Sequence, residues 1–215
     1  MNIVIRSDDT YYKMGLIALL TNFLHNTCQQ RTLTFADYQA ENISDAQIII
    51  TVLRPGEMYL CHPELLNVAP KLMVGIVETE HMPARSALPD CLKQIVLIPQ
   101  DATVAEISSV IKYHWLRKQN EEPVRGEQDC AGCTHRMFSE RQGRMLELLL
   151  AGLSSRQVGE QMNIAQKTVL AHRQALLHKF RLRTNCELMR FLLAMQQKKS
   201  TRLRGFLETG NEIEC

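Results

Sequence analysis

Residues Phe138–Phe180 read FSERQGRMLELLLAGLSSRQVGEQMNIAQKTVLAHRQALLHKF, three helices with short, sharply signalled breaks. Ser139 stands three residues before Gln142, and Ser154 three before Gln157. Each pair is a capping box, in which the hydroxyl accepts from a free backbone N–H and the amide reaches back. Gly152 follows LELLLA, where a helix end wants a residue tolerant of positive φ. The second expected helix, Ser155 to Met162, is short, and Asn163 can end it. The third, Gln166 to Phe180, carries Lys167, Arg173, His178 and Lys179 around an apolar stripe of Val169, Leu176 and Phe180. A short helix, a tight turn and a longer basic helix is the layout of a helix-turn-helix, whose second helix enters the major groove of DNA.

Charge supports that reading. Residues 134–205 hold 14 Lys/Arg against 4 Asp/Glu, whereas residues 1–116 hold 8 against 12. The net formal charge of +2 therefore conceals a strongly basic C-terminal part, the electrostatic footprint of a phosphate-backbone binder. Opposite signs in the two parts also argue for two domains, and 45% apolar residues in 215 are enough for real cores. No apolar run approaches the roughly 18 residues of a membrane span. The N-terminus MNIVIRSDD lacks a basic region followed by an apolar one, so a cytoplasmic protein without a membrane partner is expected. Seven cysteines, at 28, 61, 91, 130, 133, 186 and 215, have none of the spacing of a disulfide framework and read as reduced thiols.

The N-terminal part alternates strands and helices. Expected strands are Asn2–Arg6, Arg31–Phe35, Gln47–Leu53, Leu72–Val77 and Ile95–Ile98. The runs QIIITVL, LMVGIV and IVLI are nearly continuous, as in strands buried on both faces. Expected helices are Tyr12–Phe23, with an apolar face of Met14, Leu16, Ile17, Leu20 and Phe23, a polar one over Ala36–Asn42, and Val104–Leu116. This order implies a parallel sheet with any site at the carboxyl ends of the strands, where Asp8, Asp9, Thr51, Arg54 and Glu78 would gather.

Two resemblances follow from these residues. The opening MNIVIRSDDTYYKMGLIALL, with its acidic pair and Gly15-Leu16 step, resembles a response-regulator receiver domain of the NarL/FixJ type. Phe138–Leu193 resembles the LuxR-type helix-turn-helix that follows such receivers, keeping Arg141, Gly152, Lys167-Thr168-Val169, His172, Lys179 and Leu188 in register. The resemblance implies a flavodoxin-like α/β domain over 1–116, a linker over 117–137, and an all-α four-helix LuxR-type domain over 138–197. A basic, then acidic, tail occupies 198–215.

Departures from the receiver pattern matter most. The strand register on Pro55-Gly56 puts Thr51 at the phosphoacceptor position, and Gln100 falls where the family has a lysine. A threonine hydroxyl cannot form an acyl phosphate, and losing one of three carboxylates weakens a Mg²⁺ site. Pro83 and Pro89 disfavour a helix between the fourth and fifth strands. The expectation is a degenerate receiver, not switched by aspartyl phosphorylation. It serves either as a dimerisation scaffold or as a surface that pairs with an intact response regulator. Asp8 and Asp9 are assigned no chemistry.

In the linker, Cys130-Ala131-Gly132-Cys133 with His135 could supply three zinc ligands or a redox pair. A fourth ligand is missing, and the pair neither follows a strand nor opens a helix. No metal, cofactor or catalytic residue is assigned, and no enzyme activity is expected.

In the helix-turn-helix, Leu146, Leu149, Leu150, Val158, Met162, Ile164, Val169, Leu176 and Phe180 repeat at three- and four-residue steps and should form the core. His172 reads as a packed histidine one turn after Val169. By family register the base-facing positions are Leu170, Ala171 and Gln174. Glutamine can make a bidentate contact to adenine, and leucine or alanine can meet a thymine methyl. Gln166, Lys167, Thr168, Arg173 and Lys179 are assigned to phosphates, which fix position rather than sequence. Ala165 replaces the family's usual capping hydroxyl, and Leu170 and Gln174 replace residues often basic in relatives. Thr184-Asn185-Cys186-Glu187 is another capping box, opening a helix through Met195 whose stripe of Leu188, Phe191, Leu192 and Met195 could close the core and offer a dimer face. Lys198, Lys199, Arg202 and Arg204 extend the positive field.

The expected function is a DNA-binding transcriptional regulator that reads promoter DNA in the major groove as a dimer, independently of phosphorylation. The alternative is an auxiliary regulator or antagonist that heterodimerises with another response regulator. Its expected partners are double-stranded DNA and a second regulator chain.

Overall fold

The computed structural model describes residues 1–27, 32–65, 68–118, 133 and 135–202. Arg31, Cys28, Cys130, Arg204 and Cys215 lie outside them, as does most of the expected linker. The chain divides into two compact units, one of Met1–Arg54 and Cys61–Cys133, the other of Pro55–Leu60 and Thr134–Cys215.

The first unit is a five-stranded parallel sheet in the order β2-β1-β3-β4-β5, the doubly wound flavodoxin-like order. Its strands are β1 (Asn2–Arg6), β2 (Thr34–Ala36), β3 (Ile48–Leu53), β4 (Leu72–Val77) and β5 (Val96–Pro99). Because side chains alternate along a strand, Ile3, Ile5, Ile48, Ile50, Leu72, Val74, Ile76, Val96 and Ile98 share one face. They pack with Leu16, Leu20 and Leu24 of α1 (Thr10–Thr27) and Ile107, Ile111 and Trp115 of α3 (Val104–Lys118). Val4, Ile49, Thr51, Leu53, Met73 and Val77 point to the opposite face and are equally buried. Between β4 and β5 the chain makes only short 3-10 turns, at Thr79–His81, Arg85–Ala87 and Asp90–Leu92, with Pro83 and Pro89 between them.

Three expectations are corrected. Met14 does not join the apolar face of α1; it is 61% exposed, while Leu24, one turn after Leu20, is buried. The helix expected over Ala36–Asn42 is α2 (Ala40–Ser44), because Ala36 pairs with Val4 at the end of β2 and the Asp37 carbonyl accepts from Gln39 N–H and Asn42 Nδ2. β2 itself begins at Thr34, three residues later than expected.

The second unit packs α4 (Glu140–Leu150), α5 (Ser155–Met162), α6 (Gln166–Lys179) and α7 (Asn185–Arg202) around a trio of phenylalanine rings. Phe180 lies 4.9 Å from both Phe138 and Phe191, centroid to centroid. Pro55–Leu60 is part of this core: a Cβ on Gly56, where φ is +87°, would come within 3.0 Å of the Phe191 ring. The Tyr59 carbonyl accepts from Arg136 N–H at 2.8 Å, and the Arg136 guanidinium lies 3.8 Å over the Tyr59 ring.

Candidate nucleic-acid interface

The caps position the helices. At Ser139–Gln142 and Ser154–Gln157 both reciprocal bonds are made. At the start of α7, Thr184 Oγ1 accepts from Glu187 N–H, but the Glu187 carboxylate reaches one residue further back, to Arg183 N–H at 2.8 Å. Gly152 takes φ +86° after α4, and Asn163 takes φ 54° to end α5. Ala165 caps α6 with backbone alone.

The turn between α5 and α6 is held by Gly159. Its carbonyl accepts from Ile164 N–H at 2.9 Å, and a Cβ there would stand 2.8 Å from the Ile164 carbonyl oxygen. Sequence reasoning missed this residue; a glycine inside an otherwise regular helix was the available signal. A second brace crosses between the helices, where Arg173 Nη1 donates to Ser155 Oγ at 3.0 Å while Nε is buried without a partner.

On α6 the predicted residues fall into an exposed stripe and a half-buried flank, a division that does not follow the base and phosphate assignments. Gln166, Lys167, Leu170, Ala171 and Gln174 are all exposed, and their one- and four-residue steps trace one stripe along the helix. Leu170 is 49% exposed, a large apolar side chain facing outward. Val169, Leu176 and Leu177 form the buried side, and Thr168, His172, Arg173 and Lys179 lie half-buried between the two. The 14 residues of α6 include no carboxylate, so its own cations are not neutralised along the helix. By contrast, Arg144 pairs with Glu147 at 3.3 Å and Arg156 with Glu160 at 3.1 Å.

The core differs from expectation at its edges. Leu150, Met162 and Ile164 are half-buried, whereas Met145, Leu148, Leu177 and Leu182 are buried. In α7, Leu188, Phe191 and Leu192 are at most 2% exposed within the single chain. They close its core, while Met195, the fourth residue of the expected stripe, is half-buried and Leu193 is 50% exposed.

At the carboxyl ends of the strands in the first unit, only some predicted residues meet. Arg54, after β3, binds Asp8, after β1, through Nε at 2.7 Å and Nη2 at 2.5 Å. Asp9 caps α1, its Oδ1 accepting from Tyr12 N–H at 3.0 Å. Thr51 pairs with Arg6 in the sheet register, is 1% exposed, and its Oγ1 has no hydrogen-bond partner. Glu78 turns to His81 at 3.8 Å, and the Asp101 carboxylate accepts from the Thr79 hydroxyl. Among the described residues no three His, Cys, Asp or Glu side chains are arranged to hold a metal ion. Among the same residues no helix is long and apolar enough to cross a membrane.

Comparison with known proteins gives one family match. Residues 136–192 match the family described as bacterial regulatory proteins, luxR family. No curated protein matches the chain. Among solved structures, RcsB from Salmonella enterica serovar Typhimurium bound to promoter rprA aligns over 91% of this chain and 99% of its own, at 15% identity and TM-score 0.44. Full-length FixJ from B. japonicum aligns over 91% of this chain and 96% of its own, at 16% identity and TM-score 0.38. The family match spans the last residues before α4 and the part of the chain that contains the capping boxes, the Gly159 turn and the exposed stripe of α6, so it is over residues 136–192 that the chain is similar to the luxR family.

Proposed function

We propose that this chain is a transcriptional regulator that binds promoter DNA by laying α6 in the major groove. The observation that carries the reading is the exposed stripe Gln166, Lys167, Leu170, Ala171 and Gln174 on a carboxylate-free helix braced against α5. Side chains from the first two turns of such a helix reach base edges. Leu170, Ala171 and Gln174 read bases; Gln166, Lys167 and Lys179 hold phosphates. Thr168 and Arg173, half-buried beside the stripe, hold phosphates as well, Arg173 also bracing α5 through Ser155. The proposed domains are 1–116, of which residues 55–60 pack in the second unit, the linker 117–137, the helix-turn-helix 138–197 and the tail 198–215, into which α7 runs as far as Arg202. Dimerisation on paired half-sites rests on the family resemblance alone.

Regulation is independent of aspartyl phosphorylation. The supporting features are a threonine at the acceptor position, buried with an unpartnered hydroxyl, an arginine already paired with Asp8, and Asp9 engaged in a helix cap. A second reading, pairing with another response regulator through the first unit, is favoured by Tyr11 and Met14, 87% and 61% exposed three residues apart on α1.

Fluorescence anisotropy tests the reading, using a duplex selected from a randomised pool and its scrambled counterpart across a salt series. The selected duplex should bind at least 10³-fold tighter, as specific sites do. Equal affinities with a steep salt slope would leave only non-specific binding and overturn it.

A further inference from the structure

The first unit brings two cysteines together that are 30 residues apart in the chain. Cys91 lies in the 3-10 turn Asp90–Leu92 and is 4% exposed. Its Sγ accepts from the N–H of His62 at 3.2 Å, the residue directly after Cys61. The thiols of Cys61 and Cys91 share a hydrogen bond, and Cys61 is half-buried, so a small solute reaches it before its partner. A third cysteine borders the pair, Cys133 Sγ accepting from Asp90 N–H at 3.4 Å.

We propose that Cys61 and Cys91 are an oxidant-reactive thiol pair, with Cys61 the sulfur that attacks hydrogen peroxide and Cys91 the sulfur that closes the disulfide. The hydrogen bond from Cys91 holds the Cys61 thiol below the usual thiol range, against the opposing effects of burial and Glu64. The same hydrogen bond, with burial, pushes Cys91 up. That asymmetry matters because the thiolate is the nucleophile. In the first step the Cys61 thiolate attacks one peroxide oxygen and the O–O bond breaks. Hydroxide leaves and takes a proton to become water, and Cys61 becomes a sulfenic acid. In the second, Cys91 gives up its proton and attacks the sulfenyl sulfur. The S–S bond forms, the S–O bond breaks, and the departing hydroxide leaves as a second water. The two sulfurs lose two electrons in all, and peroxide gains them. The product ties the segment before Pro63–Leu65 to the turn Asp90–Leu92, closing a loop around β4.

The experiment uses the full chain, reduced and then given stoichiometric hydrogen peroxide, with non-reduced peptide mapping. A Cys61–Cys91 cross-link, with loss of two hydrogens from the intact mass, is expected. In Cys91→Ser, and in Cys91→Ala should the serine variant fold poorly, Cys61 should instead accumulate as a sulfenic acid trapped by dimedone. In Cys61→Ser, Cys91 should stay unoxidised. The exposed Cys186 is the internal control. Oxidation of Cys186 as fast as Cys61, a cross-link through Cys133, or two thiols still fully alkylated after peroxide would each overturn the proposal.

Discussion

Arg181 takes φ 52° just past α6, where Leu182 N–H reaches back to the Leu177 carbonyl at 2.8 Å. The left-handed region costs a residue with a Cβ roughly 1 kcal/mol, and glycine is the usual occupant of such a helix stop. Arg181→Gly should therefore raise the stability of the free protein by about 1 kcal/mol in urea unfolding; an unchanged midpoint would refute the strain argument. Gly159 is the opposite case. Its Cβ would meet a backbone oxygen that cannot swing aside, so Gly159→Ala should cost about 2 kcal/mol and weaken DNA binding on every sequence. His114, on α3, is held below the ordinary histidine range by burial, then by Lys118, Arg117 and Arg85. The folded state resists protonating it, so stability is full above the unfolded value of roughly 6.5 and falls as pH drops through it. In His114→Gln that acid-side loss should flatten, which thermal melts between pH 5 and pH 8 would reveal.

At the scale of elements, the caps decided what could be read. Two serine boxes, Gly152 and Asn163 fixed α4 and α5 because each satisfies backbone groups locally, with no help from tertiary packing. α2 and β2 were misplaced because neither carries such a signal, and β2 exists only by pairing with β1. The α7 stripe was visible as apolar, but periodicity does not say whether a face meets its own core or another chain. The roles proposed for α6 divide by chemistry. Lys167→Ala should weaken binding to all duplexes alike and reduce the salt slope by about 1. Gln174→Ala should relax preference at one base position and cost about 1–3 kcal/mol on the selected duplex. Identical loss profiles for the two would undo the division. Arg173 is the residue whose role the sequence blurred: an outward register position on paper, it is half-buried and tied to Ser155.

For the molecule as a whole, alternating strands and helices made a parallel sheet legible, since crossover connections leave little choice of order. The membership of Pro55–Leu60 in the second unit was not legible. Arg54-Pro55-Gly56 reads only as a strand stop, and the partners of Gly56 and Tyr59 come from more than 75 residues downstream. The same loop supplies Arg54. Its guanidinium is a counter-ion fixed to Asp8 by the chain itself, and no chelator can dilute it away. The melting temperature of the protein should thus be the same in EDTA as in millimolar magnesium, and acetyl phosphate should label no aspartate in either. A magnesium-dependent rise would mean that the divalent ion displaces the arginine. If both outcomes hold, the positive charge that faces Asp8 is supplied by a side chain of the same molecule and not by a dissociable ion.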